Sequence, residues 1–250
     1  MSTKTNTVIV TGASTGLGFA IAKAFLDEGS NVVINSASEA RLKSAEQELN
    51  SPSRVLAYAG DISDSSVSRE LVRLAKEKFG SVDVLVNNAG LFSPKPFLEV
   101  DETDLDRYLD ANLKGTYYSS QAAIEEMVKQ GGGSIVNVGT VLTTHAIGGF
   151  PATAPSISKG GIHALTISLA AEFGKENVRV NTISPGVIRT PIHARNGIED
   201  IDAFAGLHLL NRIGEPEDVA NAAVYLAKAN FVTGHIMNVD GGHTAGHHLG

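Results

Sequence analysis

The chain has 250 residues, 42% of them hydrophobic, and a formal net charge of −7 from 27 acidic and 20 basic side chains. That length and apolar content suffice for one sizeable core, while the acidic balance and the lack of a lysine or arginine block exclude the surface that nucleic acid needs. Cysteine is absent, which excludes a disulfide framework, a thiol nucleophile and a cysteine-held metal; a polar start without a signal peptide, and no apolar run near the ~20 residues of a membrane span, read as a cytoplasmic protein.

Short β-branched runs alternate with helical patterns along the whole chain. The first run, "TVIVTG" (7–12), opens into "VTGASTGLGFAIA" (10–22). Gly12, Gly16 and Gly18 remove side chains where backbone turns sharply or approaches a ligand. The helix that follows aims its free N–H groups and positive dipole end at a pyrophosphate. Alone, such a pattern is also a plain glycine-rich turn; its place between a strand and a helix favours a nucleotide. The further runs are "NVVINS" (31–36), "RVLAYA" (54–59), "VDVLVNNAG" (82–90), "GSIVNVG" (133–139), "VRVNTISPG" (178–186) and "GHIMNVDGG" (234–242). Helical spacing between them, as in "DVANAAVYLAKA", predicts right-handed βαβ units. The expected fold is α/β: a single Rossmann domain over 1–250, with a doubly wound, seven-stranded parallel sheet and helices on both faces. Ligands of such sheets sit beyond the carboxyl ends of the strands. The longest irregular segments, 139–154 and 189–212, lie at that edge, and the second is the expected substrate lid.

The spacing T-G-x-x-x-G-x-G resembles the short-chain dehydrogenase/reductase superfamily in its best-known form. The resemblance extends through "NNAG" (87–90), Asp61 in "AGDISD", Asn112 in "LDANLKGTYYSSQ", "GSIVNVGT" (133–140), Ser158–Lys159, and "VRVNTISPGVIRTP" (178–191), closing with "FVTGHIMNVDGG" (231–242). It implies a nicotinamide dinucleotide held by Gly12, Ser14, Thr15, Leu17 and Gly18 at the pyrophosphate. Asp61 and Ile62 would flank the adenine, and Asn88, Ala89 and Gly90 the middle. Pro185, Gly186, Ile188 and Thr190 would hold the nicotinamide end, with Lys159 on its ribose. Ser36 takes the place of the acidic residue that binds the ribose of NAD. With no charge there to repel a 2′-phosphate, and Ser38 and Arg41 close by in sequence, NADP(H) is expected over NAD(H).

The resemblance also implies hydride transfer between nicotinamide and a carbonyl or alcohol carbon, with a serine, a tyrosine, a lysine and an asparagine as the catalytic set. Asn112 and Lys159 match it, and Thr140 keeps a hydroxyl at the serine position. The tyrosine position is Pro155, in "ATAPSISKGG", which has no proton to give and is well suited to starting a helix. Losing a positioned general acid costs typically ~10²–10⁴ in rate. His145, five residues past Thr140, is the foremost substitute, since an imidazole titrates near neutrality; it also reads as an ordinary loop histidine. Thr143, Thr144 and His193 are weaker substitutes. His243, His247 and His248 in the tail lack the carboxylate or cysteine of a metal site, so none is expected; the family's assembly leaves open that a tail histidine serves a neighbouring subunit.

Three functions stand: an oxidoreductase with an altered acid, favoured; a nucleotide-binding protein without turnover; and a non-redox enzyme such as a dehydratase or isomerase. The substrate is expected to be a small molecule, apolar and of medium size. Its pocket would draw on Leu91, Phe92, Val141, Ile147, Phe150, Ile192 and Phe204. Helices over 106–128 and 160–174 show apolar residues on more than one side, and the resemblance implies a homodimer or homotetramer.

Overall fold

A computed structural model describes residues 5–248. Seven strands form one parallel sheet in the order β3-β2-β1-β4-β5-β6-β7. They are β1 (Thr7–Val10), β2 (Asn31–Ser36), β3 (Val55–Ala59), β4 (Val84–Asn87), β5 (Gly133–Val138), β6 (Val178–Pro185) and β7 (Ile236–Val239). Helices α1 (Gly16–Asp27), α2 (Glu39–Leu49), α3 (Ser65–Phe79), α4 (Glu102–Tyr108), α5 (Gly115–Gln130), α6 (Thr153–Phe173), α7 (Pro191–Arg195) and α8 (Pro216–Lys228) connect them.

The strands are buried on both faces, so their apolar residues divide by alternation. Val8, Val10, Val32 and Ile34 pack under α1, α2 and α8, through Ile21, Leu42 and Leu226. Ile9, Val33, Leu85 and Ile135 face the other way, onto Leu71, Ile124 and Met127 of α3 and α5. The strand order reverses between β1 and β4, and Val8–Val10 of β1 pair in register with β2 on one side and β4 on the other. The crevice at this reversal is where a doubly wound sheet binds its ligand.

Two local features shape that crevice. Helix α6 begins at Thr153, two residues before the expected start at Pro155. Its first intrahelical bond runs from the Ser156 N–H to the Ala152 carbonyl. Pro155 therefore occupies one of the positions whose N–H has no helical partner, and its ring costs the helix no bond. Between α4 and α5 the chain widens into a π-turn over Leu109–Lys114. That single wide turn carries Asn112, fully buried, toward the crevice.

Candidate active site

The β1–α1 turn is built to approach a ligand closely. Gly12 and Gly16 have φ of 65° and 59°, the left-handed region that favours glycine. A Cβ on Gly12 would stand 2.7 Å from Ala89 Cα, and one on Gly18 would stand 2.4 Å from both Asn88 Nδ2 and the Gly12 carbonyl oxygen. The same atoms lock the turn to the end of β4. Asn88 Nδ2 donates to the carbonyls of Thr11 and Gly12, each at 3.0 Å. Thr11 Oγ1 accepts the N–H groups of Asn88 and Ala89, each at 3.1 Å. The N-terminus of α1 has no side-chain cap at Thr15, so its leading N–H groups and dipole remain for an anion. These features fit a dinucleotide pyrophosphate.

One cavity of about 490 Å³ runs from this turn to the lid. Gly12, Ser14, Thr15, Leu17 and Gly18 line one end, Asn88, Ala89 and Gly90 the middle, and Pro185, Gly186, Ile188 and Thr190 the far wall. Thr140 and Lys159 line it too, and so do all seven apolar residues expected around the substrate. Phe92 and Phe150 stack there with centroids 6.1 Å apart. Ser36, Asp61 and Ile62 stand off its wall. Ser36 is buried, with its hydroxyl 3.0 Å from that of Ser14 and accepting the Ser38 N–H. The Asp61 carboxylate turns back to hold Ser63, and Ile62 packs against Gly115 of α5. Arg41, by contrast, reaches the wall of the cavity.

Asn112 and Lys159 meet at the middle of the crevice. Asn112 accepts the Leu91 N–H at 2.6 Å and donates to the Leu91 carbonyl and the Ser158 hydroxyl. Ser158 passes the chain on to the Pro155 carbonyl at 2.9 Å. Lys159 Nζ donates to the Val138 carbonyl at 2.7 Å, and burial lowers its ammonium to about 8. A Cβ on Gly90 would stand 2.8 Å from Asn112 Oδ1 and 3.1 Å from that ammonium. Thr140 caps the turn Val141–Thr143 by accepting the Leu142 N–H.

The histidines divide differently from expectation. His145 is exposed and off the cavity wall; its ring stands edge-on to that of His243, 5.1 Å between centroids. His243 does line the cavity. It reaches there within its own chain. His193 also lines it, its Nε2 donating to the Ile188 carbonyl at 2.8 Å, and burial lowers its pKa. Sequence reasoning passed over His163, one helical turn past Lys159. Its Nδ1 lies 3.1 Å from Thr143 Oγ1 and its Nε2 3.0 Å from Ser184 Oγ. Since the Thr143 hydroxyl donates to the Thr140 carbonyl, the Nδ1 of His163 is the donor in that pair. A Cβ on Gly139 would stand 2.6 Å from His163 Nε2, which is why a glycine precedes Thr140. The spacing Lys159–His163 on one helix face was the available signal.

The lid closes over the far wall through polar ties. Asn196 donates to the Phe92 carbonyl, and Arg195 reaches Thr15 Oγ1 at 3.4 Å. Arg189 pairs with Asp202 and Glu215. Among the described residues no group of three histidine, cysteine or carboxylate side chains is placed to hold a metal, and no helix is long and apolar enough to cross a membrane.

A parallel sheet of this order, with a glycine turn at its switch point, a hydroxyl and a lysine along one crevice and an asparagine buried behind it, defines a dinucleotide-binding α/β protein. Residues 12–244 match the family model described as Enoyl-(Acyl carrier protein) reductase. The chain belongs to the short-chain dehydrogenase/reductase superfamily. It is 36% identical over 249 residues to the 3alpha-hydroxysteroid dehydrogenase of Mediterraneibacter gnavus, covering 96% of this chain and 98% of that one. It is 38% identical over 244 residues to the L-rhamnose 1-dehydrogenase (NAD(P)(+)) of a Sphingomonas species, covering 94% and 95%. The solved structure of gox2181 superimposes with a TM-score of 0.92 at 30% identity, covering 98% and 97% of the two chains.

Proposed function

We propose that this protein is a nicotinamide-nucleotide-dependent oxidoreductase that interconverts a secondary alcohol and a carbonyl in an apolar, medium-sized substrate. The observation that carries this reading is the single cavity joining the glycine turn to Thr140, Lys159 and the apolar pocket. A protein that only bound the nucleotide would not need a furnished second half.

The nucleotide, when bound, supplies or takes a hydride at its nicotinamide ring. The chain's own residues do the rest. The free N–H groups of α1 bind the pyrophosphate, and Gly12 and Gly18 let backbone reach it. Ser14, Thr15, Leu17, Asn88, Ala89 and Gly90 shape its bed. Lys159 holds the ribose. Pro185, Gly186, Ile188 and Thr190 orient the nicotinamide, while the Thr140 hydroxyl hydrogen-bonds the reacting oxygen. Asn112 fixes the β4 loop against α6. NADP(H) is favoured over NAD(H), a reading supported by the lack of a carboxylate at the end of β2 and by Arg41 on the cavity wall. Ser36 acts there through Ser14, and Asp61 and Ile62 border the adenine. The protein assembles as a homodimer or homotetramer through α5 and α6, where Tyr117, Val128, Ile157 and Ile167 are exposed.

The test is a spectrophotometric screen of the purified protein with all four nucleotide forms. Substrates are 3-hydroxy- and 3-oxosteroids, L-rhamnose and simple ketones. The expected result is nucleotide-dependent turnover of at least one. Tight nucleotide binding with no turnover of any would instead favour the reading motivated by Pro155, a nucleotide-binding protein without redox chemistry.

A further inference from the structure

The turn over 240–244 is folded inward by its own side chains. The Asp240 carboxylate accepts the N–H groups of Gly242 and Thr244 and the Thr244 hydroxyl, at 3.0, 2.9 and 2.7 Å. Gly241 and Gly242, with φ of 58° and 88°, permit that turn. Its effect is to bury His243, 3% exposed, on the wall of the cavity. His243 stands between the two loops that frame the reacting end. On one side is His145, whose N–H bonds the Val141 carbonyl just past Thr140. On the other is His208, with ring centroids 5.6 Å apart, whose Nε2 accepts the Val187 N–H next to Gly186.

A histidine kept for packing alone is normally hydrogen-bonded when buried. Among the described residues neither ring nitrogen of His243 has such a partner, and its Nδ1 is shut off from solvent. His193 and Lys159 on the same wall each already donate to a backbone carbonyl, of Ile188 and of Val138. We propose that His243 exchanges the proton of the substrate's oxygen, in the role that the family gives to tyrosine, with exposed His145 as its link to solvent. This rests on the oxidoreductase reading above.

In alcohol oxidation the substrate O–H bond breaks and its proton joins neutral His243. The O–H electron pair closes the carbonyl bond, and the hydride leaving carbon goes to the oxidised nicotinamide nucleotide, which is reduced. His243 then passes its proton to His145 and water. Reduction runs the same steps backward from protonated His243. The ionisable groups facing it are His145 from the turn after β5, His208 from the end of the lid and Asp240 from its own turn. Burial first, then His145 and His208, hold its pKa below the ordinary histidine value, with Asp240 opposing. The neutral base is therefore the resting form at neutral pH.

The experiment compares wild type with His243→Ala, His243→Gln and His145→Ala. Oxidation of a 3α-hydroxysteroid and of L-rhamnose is followed against pH, with nucleotide affinity read independently from reduced-nicotinamide fluorescence. Wild-type oxidation should rise with pH through an apparent pKa below the ordinary histidine value and then level off. Both His243 variants should bind nucleotide as wild type does, lose about 10²-fold or more in kcat, and lose that limb. Free imidazole should restore part of the His243→Ala rate. His145→Ala should keep the limb and lose less. Wild-type rates in the His243 variants, or a rate loss with the limb intact and no rescue by imidazole, would overturn the proposal while leaving the oxidoreductase reading standing. Nucleotide binding without oxidation of either alcohol, or reduction of any ketone, by wild type would overturn both.

Discussion

Lys159 shows how one side chain links the catalytic crevice to the stability of the fold. Its half-buried ammonium stands on the cavity wall, bonded to a single carbonyl, and desolvation lowers its pKa to about 8. An unfolded lysine titrates near ~10.4, so between about pH 8 and 10.4 the unfolded chain binds the extra proton. Stability from this group therefore rises with pH across that window and is lowest below it. The full difference is of order 3 kcal/mol at ~1.4 kcal/mol per unit. Replacing Lys159 by Met should flatten that part of the profile and stabilise the protein at pH 7, as urea unfolding at several pH values would show. The same variant should weaken nucleotide binding. An unchanged profile would mean that the lysine is solvated in the native state. Residues of this kind divide sharply in how legible they are. Lys159, Thr140 and the glycines sit at fixed distances from a strand end, so the sequence places them on the crevice. His243 does not: only the Asp240-stapled turn, a fold of side chain back on backbone, brings it there. His145 is the opposite case: its loop position said nothing of which way its ring faces, and the ring stands off the cavity wall.

At the scale of elements, α6 and the π-turn before α5 set the crevice. The proline in the tyrosine's place reads in sequence as a disruption. In the helix it is harmless, because its missing N–H belongs to a position with no intrahelical acceptor. Pro155→Ala should leave α6 intact and change stability by no more than about 1 kcal/mol, mostly through the freer unfolded chain. Circular dichroism and urea unfolding would detect a larger loss, which would mean that the buried ring carries packing that its helical position does not reveal. The π-turn is the reverse case. Asn112 was recognisable from its neighbours in sequence, yet nothing in "LDANLKG" signals the widened turn that aims it at Leu91 and Ser158. Hydrophobic periodicity marks where a helix runs and not where one extra residue is inserted in it.

At the scale of the molecule the seven-stranded parallel sheet covered on both faces was legible, because buried parallel strands separated by helical periods leave few arrangements. The division of the sheet's residues between two helical layers follows from alternation alone. What joins these layers to chemistry is the switch point between β1 and β4, where Gly12 and Gly18 keep the backbone bare and the start of α1 uncapped. The most direct measurement is calorimetric titration of the purified chain with NADPH and with NADH, repeated on Gly18→Ala. One nucleotide should bind per chain, NADPH more tightly than NADH, and the heat should vanish in Gly18→Ala, whose methyl would meet Asn88 and the Gly12 carbonyl at 2.4 Å. Absence of binding by either nucleotide to the wild-type chain would contradict the assignment of this crevice to a nicotinamide dinucleotide.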